Sequence, residues 1–181
     1  MALKELPGPH KGVLVSGEQN KVIVSEMAMK IFNDYKDDEE PPVLIPVLEG
    51  AMEFTVDLGR QLYALGMDCP RTSVFSDTYG GGKVSSGKPE IQVGPKFKKL
   101  LNGRRGIVTE DTTETQATTD AVRVVAMEAG AVDVRVASLT SKNPSSTAEY
   151  IGINLRKDAW LEGNGLDTDE LGRSNTDIIE R

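Results

Sequence analysis

The sequence predicts an α/β fold in which a mostly parallel sheet is covered by helices on both faces. Three observations lead there. Segments of strand and helix character alternate along most of the 181 residues, the order that generates parallel crossovers. The run from Val43 to Leu48 (VLIPVL) is apolar without alternation, as a strand buried on both faces must be. The residues best suited to chemistry, Glu49-Gly50, Glu110-Asp111 and Lys142, each follow a predicted strand, the edge at which open α/β sheets bind ligands.

Residues 1–12 read as a loose, proline-containing arm with His10 in it. Ser16 and Gln19 form a capping-box pattern, and Val24, Met27, Ala28, Ile31, Phe32 and Tyr35 recur at helical spacing behind it, so a helix runs to about residue 36. The acidic stretch Asp37 to Glu40 and two prolines end it. The strand from Val43 carries Pro46, a residue that normally avoids central strands. A second helix follows Gly50, with Ala51, Phe54, Leu58, Leu62 and Leu65 on its apolar stripe and Gly66 as its stop. Thr72 to Asp77 reads as a strand, and Tyr79 to Gly87, with four glycines and two serines, as a mobile loop. Ile91 and Val93 begin a short return strand. Lys96, Lys98, Lys99, Arg104 and Arg105 read as a solvated loop, or else as a patch that attracts anions. Gly106 to Asp111 is a strand ending in two acids. A helix from about Thr118 to Glu128, a strand from Val132 to Ser138 and a last short strand from Tyr150 to Leu155 complete the walk. One domain over residues 1–181 accounts for the whole.

Composition narrows the chemistry. The net charge of −7, from 28 acidic and 21 basic side chains, opposes general nucleic-acid binding, which phosphate neutralisation drives. No apolar run approaches the ~20 residues that span a bilayer, so no membrane partner is expected. Absence of a secretory signal and the lone Cys69 point to a reducing cytoplasm. With one histidine, His triads and Cys/His zinc sites are excluded. Acid–base work falls to carboxylates and lysines, and a metal would be oxygen-bound, pointing to magnesium.

The segment from Glu110 to Thr119 (EDTTETQATT) sits between a strand and a helix. Two acids at a strand tip could hold ribose hydroxyls, directly or through a metal-bound water. The threonines and the helix start behind them supply hydroxyls and free backbone N–H groups for a phosphate. An acidic turn with threonine caps is the other reading, and the segment alone does not decide between them.

This segment resembles the phosphoribosyl pyrophosphate (PRPP) motif of type I phosphoribosyltransferases, in particular the hypoxanthine-guanine branch. Five further segments resemble that family in the same order: Val43 to Gly50, Ser76 to Gly80, Leu139 to Lys142, Tyr150 to Gly152 with Asp158 to Trp160 and Gly163 to Asp167, and Arg173. The resemblance implies the type I phosphoribosyltransferase fold, a mostly parallel sheet with a small hood and a flexible loop. It implies a magnesium-dependent purine salvage reaction, in which a 6-oxopurine displaces pyrophosphate from PRPP through an oxocarbenium-like transition state. Glu110 and Asp111 would hold ribose hydroxyls and the metal's water shell. Thr115, Gln116, Ala117, Thr118 and Thr119 would wrap the 5-phosphate. Glu114 would be the general base near purine N7, and Lys142 would contact the 6-oxygen. Tyr150 would stack on the purine, Ile151 would offer backbone groups to it, and Asp158 would help hold a second magnesium. Leu48, Glu49 and Gly50 would bind pyrophosphate beside Arg173. The loop beginning at Thr78 and Tyr79 would close over the site. A homodimer or homotetramer is the family's usual assembly.

The sequence departs from the pattern at four places. Glu114 stands for the family's aspartate, Gln116 for a glycine, Thr112-Thr113 for an apolar pair, and Glu49 for a frequent lysine. Two expectations follow: an active transferase, or a catalytically weak homologue that binds PRPP or a nucleotide as a sensor. A Rossmann-type dinucleotide site has no support, since no GxGxxG follows an early strand.

Overall fold

The computed structural model describes residues 12–77, 89–169 and 171–181; His10, Thr78 and Tyr79 lie outside them. The elements in chain order are β1 (Gly12–Val15), α1 (Gly17–Tyr35), β2 (Val43–Leu48), α2 (Met52–Ala64), β3 (Val74–Asp77), β4 (Glu90–Val93), α3 (Phe97–Leu101), β5 (Arg105–Thr113), α4 (Ala117–Glu128), β6 (Asp133–Ser141), β7 (Tyr150–Asn154), β8 (Leu161–Glu162) and β9 (Ile178–Glu180). Six strands form the central sheet in the order β4-β3-β2-β5-β6-β7, and β1-β9-β8 form a small second sheet. The central sheet is parallel except for β4, which returns antiparallel to β3.

Strand alternation divides the core between the two faces. Leu44, Ile107 and Leu139 pack with Phe54, Leu58 and Leu62 of α2 and with the α1 stripe that includes Val24 and Ile31. Val43, Ile45, Val47, Val108 and Val136 pack on the other side with Phe97, Leu101, Val122 and Ala126 of α3 and α4. The α1 capping box forms as read: Ser16 accepts from Gln19 N–H, and the Gln19 side chain accepts from Ser16 N–H at 2.9 Å.

Pro46 is accommodated by register. Leu44 donates to Pro70 O and accepts from Thr72 N–H, so its polar groups face β3. Pro46, two residues on, faces the same way, and β3 joins β2 only from Val47. The missing N–H of Pro46 therefore falls where no ladder bond is required.

The basic stretch needs correction. It contains a helical turn, α3, because Phe97 and Leu101 are both buried four residues apart. Arg104 pairs with Glu40 at 2.9 Å and Arg105 with Asp38 at 3.2 Å. These pairs line a cleft of about 590 Å³ with Glu39 and Val132, at the amino edge of the sheet. Its two arginines are already paired with acids, whereas Lys96, Lys98 and Lys99 are exposed to solvent.

The hood is the part the sequence walk did not resolve. Val15, Leu161, Leu166 and Ile178 join the α1/α2 core, and Gly17 N–H donates to Asp177 at 2.7 Å. Arg181 Nε donates to the fully buried Glu162 at 2.9 Å. Among the described residues, no helix is long and apolar enough to cross a membrane.

Candidate active site

The carboxyl edge of the sheet carries the site. At the tip of β5, Glu110 is buried with one carboxylate oxygen, Oε2, lacking a hydrogen-bond partner. Burial, and next the negative charge of Asp111, push its carboxyl well above the usual range. Burial raises Asp111 too, offset by its bonds to Glu110 and Thr112 N–H and by the charge of Arg173. Of the two, Glu110 is the carboxyl whose ionisation is more strongly opposed, since Asp111 has bonds and a nearby cation that favour its charge. A raised folded-state pKa contributes stability below the ordinary carboxylate range, and that contribution is lost as pH rises through the raised value. Glu110→Gln should consequently flatten the pH dependence of thermal unfolding and raise Tm on the alkaline side. An unchanged profile would mean that Glu110 ionises normally.

The threonine loop behind this acid pair leads into α4. Thr112 is paired with Thr140 of β6 through their hydroxyls at 2.7 Å, and Thr140 also donates to Asp111 O at 3.0 Å. A polar cross-strand contact thus takes the place of the expected apolar pair. Gln116 at the N-cap makes no side-chain capping bond, and Ala117 N–H has only a long 3.4 Å bond to Thr115 Oγ1, so the helix start keeps N–H groups for a ligand. Glu110 and Thr112 to Thr119 enclose a cleft of about 120 Å³.

A second cleft, about 170 Å³, shares Thr112 and Glu114 with the first and is lined also by Asp111, Lys142, Trp160, Leu161, Leu166 and Asp167. Lys142 N–H donates to Thr113 O at 2.9 Å, extending the β5–β6 ladder past β6. Its side chain is only 12% exposed, and Nζ lies 2.6 Å from Glu114 Oε1. Trp160 is half-exposed beside it, its indole N–H donating to Thr168 at 3.1 Å.

The turn after β2 closes the third side. Its Leu48–Glu49 peptide is cis, and the Glu49 side chain is exposed. A Cβ on Gly50 would collide with the Asp111 carboxylate, and one on Gly165 would collide with Gly50 O. Arg173 donates to Gly165 O at 2.7 Å and pairs with Asp167 at 2.8 Å. The hood loop is thereby pinned on Leu48 to Gly50.

Of the expected residues, Glu110, Asp111, Glu114 to Thr119, Leu48 to Gly50, Lys142 and Arg173 are brought together. Three are not. Tyr150 begins β7 opposite Ala137 of β6, and its side chain is buried on the α1 side of the sheet; its hydroxyl donates to Asp34 at 2.6 Å and accepts from Arg135 at 2.8 Å. Burial, and next the Asp34 bond, keep the phenol protonated as that donor. Ile151 follows it in the ladder opposite Ser138. Asp158 lies on an exposed turn and lines neither cleft. Trp160, Leu161 and Asp167 occupy the site instead. The signal was present in the segments around Trp160 and Asp167, but counting the aromatic position from Tyr150 stopped one strand too early. Tyr150→Phe should therefore cost about 1 kcal/mol of stability and leave the KM for the base unchanged. A raised base KM without loss of stability would return Tyr150 to the site.

The donor atoms suit a hard cation. Glu110, Asp111 and Asp167 offer only oxygens, and one buried Glu110 oxygen is unpartnered. Among the described residues, no three such side chains form a complete metal cluster, so substrate oxygens would have to complete the shell, as magnesium commonly requires.

Comparison with known proteins agrees with this geometry. No family model matches the chain. A curated relative, hypoxanthine-guanine phosphoribosyltransferase of Mycobacterium tuberculosis, is 27% identical over 175 residues, covering 92% of this chain and 84% of that protein. The enzyme of the same name from Aquifex aeolicus is 27% identical over 185 residues, covering 97% of each. Among solved structures, a glutamic acid variant made in a study of an invariant aspartic acid in HPRTs superposes with a TM-score of 0.84 at 26% identity, covering 94% of this chain and 95% of that one. A hypoxanthine phosphoribosyltransferase of Trypanosoma cruzi, in a ternary substrates complex, has the same TM-score, identity and coverage.

Proposed function

We infer that this chain is a type I phosphoribosyltransferase of the hypoxanthine-guanine branch, joining a 6-oxopurine to the ribose 5-phosphate unit of PRPP with release of pyrophosphate. The observation that carries this reading is the pair of adjoining clefts that share Thr112 and Glu114. One is lined by threonines and an uncapped helix start and suits a phosphate. The other sets a buried lysine, a carboxylate and an indole around a space suited to a flat polar base.

In this reading Thr115 to Thr119 hold the 5-phosphate by hydroxyl and N–H groups. Glu110 and Asp111 hold the ribose hydroxyls, and Leu48 to Gly50 with Arg173 hold the leaving pyrophosphate. Lys142 donates to the 6-oxygen, which selects oxopurines over adenine. Glu114 takes the N7 proton, and its negative charge favours the cationic sugar of the transition state. Trp160 stacks on the base, and Leu161 offers backbone groups to it. Magnesium, held by Asp111, Asp167 and the substrate's own oxygens, would supply charge neutralisation for the leaving group. The lone thiol of Cys69, buried and pushed up to about 12 chiefly by that burial, is inert and suits a cytoplasmic setting. A homodimer or homotetramer is the assembly we propose.

The test is nucleotide formation from magnesium, PRPP and each of hypoxanthine, guanine, xanthine and adenine. Turnover with an oxopurine but not adenine is expected. Binding of PRPP with no turnover on any base would leave a ligand-binding homologue instead.

A further inference from the structure

Gln116 occupies a left-handed conformation, with φ 64° and ψ 1°, at the start of α4. For a residue with a Cβ this costs about 1–2 kcal/mol relative to glycine. The side chain offers a physical reason for retaining it. Its amide nitrogen donates to Thr147 Oγ1 at 2.8 Å. Its carbonyl oxygen accepts from Asn143 Nδ2 and from Thr147 N–H, each at 3.3 Å. The Asn143 amide is itself oriented by Ser145 N–H, which donates to its oxygen at 2.9 Å. Two helical turns further on, Arg123 pairs with Glu149 at 2.7 Å, and Glu149 also accepts from Val136 N–H at 2.7 Å. The segment from Asn143 to Glu149 is thus tethered to α4 at both ends.

The backbone and the side chain of Gln116 belong to different halves of the site. Its backbone lies in the phosphate cleft. Its amide grips the loop that begins directly after Lys142, where Asn143 and Pro144 wall a cavity of about 330 Å³ with Glu114, Thr115, Lys142 and Lys157. We propose that Gln116 is a positioning residue that clamps the Lys142 loop to the phosphate loop, so that phosphate occupancy sets the geometry of base recognition. The proposal rests on the phosphoribosyltransferase reading for the identity of the base, while the clamp itself is a property of the two loops.

Glycine at this position separates the clamp from the backbone geometry, since it adopts the left-handed conformation without strain and has no amide. The full chain and its Gln116→Gly, Thr147→Val and doubly substituted forms would be titrated with ribose 5-phosphate and with GMP. Hydrogen exchange of the Thr147 amide would be followed with and without ribose 5-phosphate. Gln116→Gly is expected to weaken GMP binding about tenfold, equivalent to about 1.4 kcal/mol, and to raise the base KM similarly. Ribose 5-phosphate affinity should change less than about twofold, since the loop's backbone is kept. The Thr147 amide should lose its protection, and adding Thr147→Val should cost nothing more. Wild-type GMP affinity in Gln116→Gly, equal loss of both ligands, or an unchanged Thr147 exchange rate would each overturn the clamp. Failure of the wild-type chain to bind any purine nucleotide would instead remove the transferase reading, and the exchange measurement would still decide the clamp.

Discussion

Glu114→Gln should lower kcat for nucleotide formation by about 10²–10⁴-fold while leaving the KM for PRPP near the wild-type value. The substitution preserves size and keeps an oxygen that can accept from Lys142, whose Nζ lies 2.6 Å from Glu114 Oε1. It removes only the capacity to take a proton and the negative charge beside the reacting sugar. Glu114 is one methylene longer than the aspartate that the resemblance implies here, and the added reach is what brings its carboxylate to Lys142. Glu114→Asp should therefore loosen the ion pair and retain most of the turnover. A loss below about threefold in Glu114→Gln would assign proton transfer to another group and leave Glu114 as a partner for Lys142 alone.

Gly165→Ala should cost about 2–6 kcal/mol of stability and abolish turnover in whatever protein still folds. Two independent effects add. Gly165 has φ +94°, a conformation that costs other residues about 1–3 kcal/mol. A Cβ there would also overlap Gly50 O, a backbone atom in the proposed pyrophosphate turn, and overpacking of this kind typically costs a further 1–3 kcal/mol. The overlap can be relieved only by lifting the hood or displacing the turn, and either separates Gly165, whose carbonyl Arg173 holds, from Gly50. Thermal unfolding and turnover measured together test this. A stable, active Gly165→Ala would show that the hood need not approach Gly50 so closely for the reaction.

The central sheet was legible because its information is local. An unbroken apolar run at Val43, acids at the tip of β5 and glycine stops after α2 and α4 fix the type and order of elements, since period and turn chemistry act over a few residues. The acid pair, the threonines and the helix start are consecutive too, so the cleft they form was legible as a segment, although its reading as a phosphate loop came from the resemblance. The hood was not, because β1, β8 and β9 come from opposite ends of the chain and their pairing has no local signature. The base-binding side failed there. Tyr150 has the character of a stacking residue, and only the packing of its side chain into the α1 core, with its hydroxyl on Asp34 and Arg135, keeps it from the clefts.

By itself, the sequence determined an α/β sheet with parallel crossovers and excluded histidine triads and Cys/His zinc sites. Those follow from residue type and spacing, which the chain carries wherever it folds; the expected order of phosphate, pyrophosphate and base segments came from the family resemblance. The tertiary structure decided that Trp160 and Asp167, rather than Tyr150 and Asp158, meet Lys142 and Asp111. It also decided that Glu114 reaches Lys142, and that Gln116 accepts a strained backbone while its amide joins two loops. Each of these depends on the relative position of segments 18 to 56 residues apart, which is set by packing of the shared core and by strand direction rather than by any local preference.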